Sequence, residues 1–186
     1  MSSPGSPTGV ESPEVTIVVS DEQTDVVLDA HRWANLAEAV LIAEGCFGEL
    51  TLTFVDVGEM AELNSEHMGQ SGPTDVLSFP LDALDGAEHS VAGGAMTTHG
   101  DAGPVLLGDV VICPAIAVEA APEHAGTIDD EIALLVVHGI LHVLGHDHAE
   151  PEQTQRMRSR ELEHLMQLHW HGQPPAAFVQ EQEEAS

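Results

Sequence analysis

Lysine is absent from this sequence of 186 residues, and arginine occurs only four times, at Arg32, Arg156, Arg158 and Arg160. Set against 32 acidic side chains, this gives a formal net charge of −28. A surface of that sign repels nucleic acid at long range and repels itself unless salt screens it. At about 1 M salt the screening length falls to about 3 Å, so the balance fits a protein working at high ionic strength. Cysteine is scarce as well. Cys46 and Cys113 are the only two, too few for a cysteine-based zinc site and no argument for a disulfide in a chain without an export signal. Both are expected as small buried side chains. No apolar run is long enough to span a membrane. The start, MSSPGSPTGVESPEV, has neither the basic residues nor the apolar core of a secretory signal. A cytoplasmic protein with no membrane partner is expected.

The chain is long enough to bury a real core, and its 42% hydrophobic fraction is ordinary for a globular protein. Residues 1–14 read as a disordered leader, 15–171 as a single domain, and 172–186 as a disordered acidic tail. Within the domain, residues 81–103 have no period and read as a flexible loop. The stretches VTIVV from Val15, LTLTFV from Leu50, VLSF from Val76 and VLLGDVVI from Val105 read as strands, with Gly108 marking a bulge or a close backbone approach. Helices are expected over His31 to Glu44 (stopped by Gly45), Val57 to Glu66, Ala115 to His124, Ile128 to Leu144 and Glu152 to Trp170. Thr127 is expected to cap the fourth, with Asp129, Asp130 and Glu131 in its first turn, where carboxylates suit the helix dipole. The fold class is therefore α+β: a small mixed sheet of about four strands packed by about five helices.

Residues 138 to 148 read HGILHVLGHDH and hold four histidines. The helix from Ile128 is apolar nearly all round and is expected to be central and buried. His138 and His142 stand at i and i+4, so they share one face a turn apart and can point at one metal ion. On a straight helix His146 would lie about 12 Å from His138, whereas metal–nitrogen bonds are about 2.0–2.1 Å. The helix must therefore end, and Gly145 can end it through a left-handed conformation. Spacing alone leaves both His146 and His148 as the third ligand. The metzincin signature H-E-x-x-H-x-x-G-x-x-H places its third ligand three residues after the glycine, here His148. Three histidines with a fourth position left to water form a catalytic zinc arrangement, at the C-terminal end of the central helix. The metzincin general base is replaced by Gly139, which disfavours peptide hydrolysis.

The histidine stretch, together with PTDVLSFP at Pro73 to Pro80 and LLGDVVIC at Leu106 to Cys113, resembles the YbeY family of metal-dependent endoribonucleases. The match in the first motif runs through His138, Gly139, Leu141, His142, Gly145, Asp147 and His148, with His146 where tyrosine is usual. The resemblance implies one Zn2+ ion held by His138, His142 and His148. It also implies cleavage of single-stranded RNA in maturation of ribosomal RNA, including the 3′ end of the small-subunit RNA, and in ribosome quality control. The partners it implies are single-stranded rRNA, the small ribosomal subunit and ribosome-assembly factors. An arginine usual in the family before the GxxxPT stretch is Met68 here.

The acid or base is not evident from sequence. Asp147 and Asp109 are candidates, each also readable as a supporting group. Arg156, Arg158 and Arg160, clustered just after the histidine stretch, read as a local phosphate contact beside the site, and Arg156 or Arg160 could substitute for the missing arginine. The alternative for the three arginines is pairing with Glu152, Glu161 and Glu163 along the helix. His146 reads as a spare ligand, a proton carrier or a turn residue. His164, His169 and His171 read as partly exposed. Two other functions fit the same site: a non-catalytic, ribosome-associated metal-binding factor, or a metallohydrolase of another substrate class.

Overall fold

The computed structural model describes residues 14–81, 105–147 and 149–180. The leader through residue 13, the loop 82–104 with His89 and His99, the last six residues and His148 lie outside the described residues. The elements follow the expected order: β1 (Val15–Asp21), α1 (Ala30–Glu44), β2 (Gly48–Phe54), α2 (Val57–Leu63), β3 (Val76–Pro80), β4 (Leu106–Ile112), α3 (Pro114–Ala120), α4 (Ile128–Val143) and α5 (Pro151–His164). Two π-helical turns extend helices, Asn64–Met68 after α2 and Leu165–His169 after α5. No described helix is long and apolar enough to cross a membrane.

The four strands form one mixed sheet in the order β1-β2-β4-β3. β1, β2 and β4 run parallel, and β3 is antiparallel to β4 at one edge. The alternation in GELTLTF places Leu50, Leu52 and Phe54 on one face, where they meet Val110 and Ile112 of β4 and the apolar sides of α1 and α4. The opposite face carries a smaller cluster of Val55, Met60, Leu77, Val111 and Cys113. Helix α4 is the centre of the larger cluster. Ile132, Val136, Val137, Ile140, Leu141 and Val143 are at most 2% exposed, each contributing about 1.5–3 kcal/mol through burial.

Two glycines bring this helix and sheet together. At Gly108 the β2–β4 register shifts and the backbone adopts φ +153°. A Cβ there would lie 2.4 Å from the Phe79 carbonyl oxygen, so both the bulge and the close approach expected of it occur. On α4, a Cβ at Gly139 would stand 2.6 Å from Val110 Cγ1 and 3.2 Å from Ser78 Oγ. Position 139 therefore faces the sheet and lets α4 lie against β3 and β4.

The helix ends also follow from local chemistry. Thr127 Oγ1 accepts a hydrogen bond from the Asp130 amide, and Asp29 caps α1 in the same way. The acidic first turn of α4 does more than match the dipole. Asp130 Oδ1 accepts from Trp170 Nε1 at 2.6 Å and from His169 Nε2 at 2.8 Å. Burial pushes the Asp130 carboxyl up, but hydrogen bonds from Thr127, Trp170 and His169 outweigh it and hold the group below its usual value.

Three expectations are corrected. His164 is buried, only 2% exposed, with Nε2 2.5 Å from Glu44 Oε1, whereas His169 is partly exposed as expected, with its ring 2.8 Å from Asp130. His171 is exposed. The reason is position on the helix: Thr154, Met157, Glu161, His164 and Leu165 form the inward stripe of α5, where Glu161 meets His138 of α4 and His164 meets Glu44 of α1. Second, Cys113 is fully buried, but Cys46 only partly. Third, residues 173–180 do not behave as a tail. Val179 donates to the His124 carbonyl, Phe178 packs edge-on against Trp170, and Gln180 reaches α5.

Candidate active site

His138 and His142 occupy the last turns of α4 on one face, with ring centroids 4.5 Å apart and planes nearly perpendicular. His138 donates from Nδ1 to Glu161 Oε1 at 2.8 Å. That bond fixes the tautomer and places the lone pair on Nε2, the arrangement in which metal-binding histidines are held by a carboxylate. Glu161 is buried on α5. Its second oxygen accepts from Gln180 Nε2 at 2.9 Å, and the same amide nitrogen donates to the Arg158 carbonyl. Gln180, Glu161 and His138 therefore form one hydrogen-bonded line from the C-terminal segment to the candidate ligand.

After Val143 the helix closes in a Schellman arrangement. The Gly145 amide donates to the His142 carbonyl and the His146 amide to the Leu141 carbonyl, both at 2.9 Å, with Gly145 at φ +87°. The chain thus reverses at the expected glycine. His146 follows half-buried and Asp147 exposed, while His148 lies outside the described residues. Among the described residues no group of three or more His, Cys, Asp or Glu is placed to hold a metal ion. The two histidines on α4, with the carboxylate behind His138, could contribute imidazole nitrogens to a divalent ion.

The other sequence candidates fall in different places. Asp109 lies on β4 next to Val110, whose side chain packs on Gly139 of α4. Alternation along the strand turns Asp109 to the opposite face, away from the histidines. Arg156 is exposed on α5, 3.7 Å from Glu152. Arg160 is held by Glu44 at 2.7 Å and by Glu163 at 2.6 Å. Met68 is half exposed at the end of the π-helical turn after α2.

The sequence offered Glu161 only as a partner for the arginines and did not reveal its place behind His138. A cavity of about 240 Å³ opens beside His138, lined also by Glu161, Glu131, His124, Asp75 and Arg158. The sequence does carry a signal for this wall: Thr154, Met157, Arg158 and Glu161 are spaced i, i+3, i+4, i+7 and so share one face of α5. Glu131, Leu135 and His138 line the cavity from α4, at i, i+4, i+7, and His142 follows on the same helix face at i+11. Which acid faces which histidine is a matter of how two helices pack, and no local pattern states it.

Residues 18–169 match the family model described as endoribonuclease YbeY. Among curated proteins, the endoribonuclease YbeY of Salinispora tropica is 44% identical over 141 residues, covering 74% of this chain and 83% of the relative. That of Acidothermus cellulolyticus is 43% identical over 154 residues, covering 81% and 90%. The solution structure of TM1509 from Thermotoga maritima superposes with a TM-score of 0.51 at 23% identity, over 91% of this chain and all of that one, which establishes likeness of fold.

Proposed function

The chain belongs to the endoribonuclease YbeY family, and from that premise we propose that it is a zinc-dependent, single-strand-specific endoribonuclease of ribosomal RNA maturation. The reading includes action at the 3′ end of small-subunit RNA and in ribosome quality control, in the cytoplasm, with the small subunit and its assembly factors as partners. The observation that carries the metal-centred reading is the His138–His142 pair on one helix face with Glu161 behind His138. His138, His142 and His148 would hold the ion. A bound zinc supplies a polarised water and neutralises charge developing on the phosphoryl oxygens.

The protein's own part is orientation. Glu161 keeps Nδ1 of His138 protonated and the ring fixed. The Schellman turn at Gly145 returns the chain toward the helix end. The cavity beside His138 gives the scissile region of a strand a place next to the histidines. Asp147, exposed just before His148, is the acid or base candidate that remains near the site.

The test is turnover of single-stranded RNA by protein of measured zinc content, wild type against His142→Ala and His148→Ala. The reading requires about one zinc per wild-type chain, multiple turnovers, and loss of both metal and cleavage in each variant. Zinc bound without any RNA turnover would instead support a ribosome-associated metal-binding factor. Cleavage retained by metal-free His142→Ala would sink the metal-centred mechanism.

A further inference from the structure

The arginines of this chain are so few that each can be accounted for. Arg32 lies at the far end of α4 from His142, 2.6 Å from Asp129. Arg156 faces Glu152, and Arg160 is shared by Glu44 and Glu163. Arg158 alone makes no ion pair among the described residues, and it is the arginine that lines the cavity beside His138.

None of the carboxylates that line that cavity is paired with Arg158; each is held by other groups of the protein. Asp75 Oδ1 accepts from the Val76 amide at 2.7 Å and from Thr74 Oγ1 at 3.0 Å. Glu131 accepts from the Ala125 amide at 3.2 Å and stands 3.4 Å from His124 Nδ1. Glu161 is taken by His138 and Gln180. Arg158 is half-buried, and its backbone is pinned where Gln180 donates to its carbonyl. It also lines a second, adjoining concavity of about 340 Å³ between α5 and Gln180. Arg158 is thus one of three residues shared by the two concavities, with Thr154 and Gln180. An extended polymer leaving the His138 cavity along the second one would pass Arg158.

We propose that Arg158 binds a phosphate of the single-stranded RNA, next to the one presented to His138 and His142, and so sets the register of the strand. This rests on the proposed endoribonuclease reading. The guanidinium suits a phosphate because its donors form a fork that meets two phosphoryl oxygens at once. In a chain without lysine, one such contact makes up a large share of the electrostatic attraction available to RNA.

The experiment measures binding of a non-cleavable 2′-O-methyl single-stranded oligonucleotide across a potassium chloride series. It compares the zinc-loaded wild type with Arg158→Gln, Arg158→Lys and Arg32→Gln. Each phosphate contact on a single strand contributes about −0.7 to the slope of log K against log salt. Arg158→Gln is expected to bind about tenfold more weakly and to lose about 0.7 of slope, with Arg158→Lys keeping most of that slope. Arg32→Gln makes the same change in net charge far from the cavity and is expected to keep both affinity and slope. Thermal melts confirm that each variant is folded. If the wild type binds and Arg158→Gln equals Arg32→Gln, the proposal fails while the endoribonuclease reading stands. It also fails if Arg158→Lys is as impaired as Arg158→Gln, because the residue then acts by packing rather than by charge. If the wild type neither binds nor cleaves single-stranded RNA, both fall together.

Discussion

Glu161 on α5 accepts the Nδ1 proton of His138 on α4 at 2.8 Å, so the helix that follows the histidine motif is also the one that orients its first histidine. A carboxylate behind a metal-binding histidine raises the ligand's basicity and holds the ring, and its loss typically weakens metal binding 10- to 100-fold. Glu161→Ala is therefore expected to weaken zinc affinity by about that factor. Glu161→Gln retains an accepting oxygen and falls between. Competition against a chromophoric chelator measures this directly. Equal affinities in all three proteins would mean that the hydrogen bond has no part in holding a metal.

Gly139 makes the same helix a poor place for a peptidase's base. Position 139 points at Val110 and Ser78, not at the face that carries His138 and His142. A side chain there has to displace the sheet. Gly139→Ala is expected to destabilise the fold by about 1–3 kcal/mol through overpacking, read as a lower urea midpoint. Val110→Ala in the same chain should recover part of it, because Val110 Cγ1 is the atom nearest the added methyl. Should Gly139→Ala prove neutral, α4 can shift from the sheet and the close packing is not obligatory.

Much of this was legible in sequence because it depends on local chemistry. Strand alternation in LTLTF, the Thr127 cap and the left-handed stop at Gly145 are written within a few residues of where they act, and each formed as read. The 3.6-residue period put His138 and His142 on one face, as the ring contact shows. What was not legible is long-range pairing. His164 finds Glu44 across 120 residues and His169 finds Asp130 across 39. A histidine with a buried carboxylate partner looks the same in sequence as a solvated one. The arginines show the same limit. Three at alternate positions are interchangeable by composition, yet the faces of α5 send Arg156 to solvent, Arg160 to Glu44 and Arg158 to the cavity.

Gly145 isolates backbone geometry from packing. It holds φ +87°, and a Cβ built there meets nothing within 4 Å. Gly145→Ala therefore adds no clash and costs only the left-handed conformation, on the order of 1 kcal/mol. Gly145→Asn should cost less, since asparagine tolerates that region. If the turn exists to bring a further ligand toward the helix end, Gly145→Ala should also lower zinc affinity by more than its effect on the urea midpoint accounts for. Parallel loss of both, in proportion, would make the glycine a matter of stability alone.

Glu44 gives the fold a specific acid sensitivity. Burial pushes its carboxyl up, but hydrogen bonds from His164 and Arg160, with the charges of both, outweigh that and bring it from 4.5 to about 2. A folded-state value below the unfolded one means that the unfolded chain binds the proton more tightly. The contribution is complete above about pH 4.5 and is lost as pH falls toward 2. Glu44→Gln should be less stable at neutral pH, because Arg160 and the buried His164 lose the negative charge of their shared acceptor. Its urea midpoint should also fall less steeply than that of the wild type between pH 4.5 and 2. The slope is the diagnostic quantity, since the drop at neutral pH could follow from any damage to this contact. Identical slopes in the two proteins would show that the Glu44 carboxyl titrates near its ordinary value. The bridge from α1 to α5 would then be an ordinary hydrogen bond rather than a charge pair.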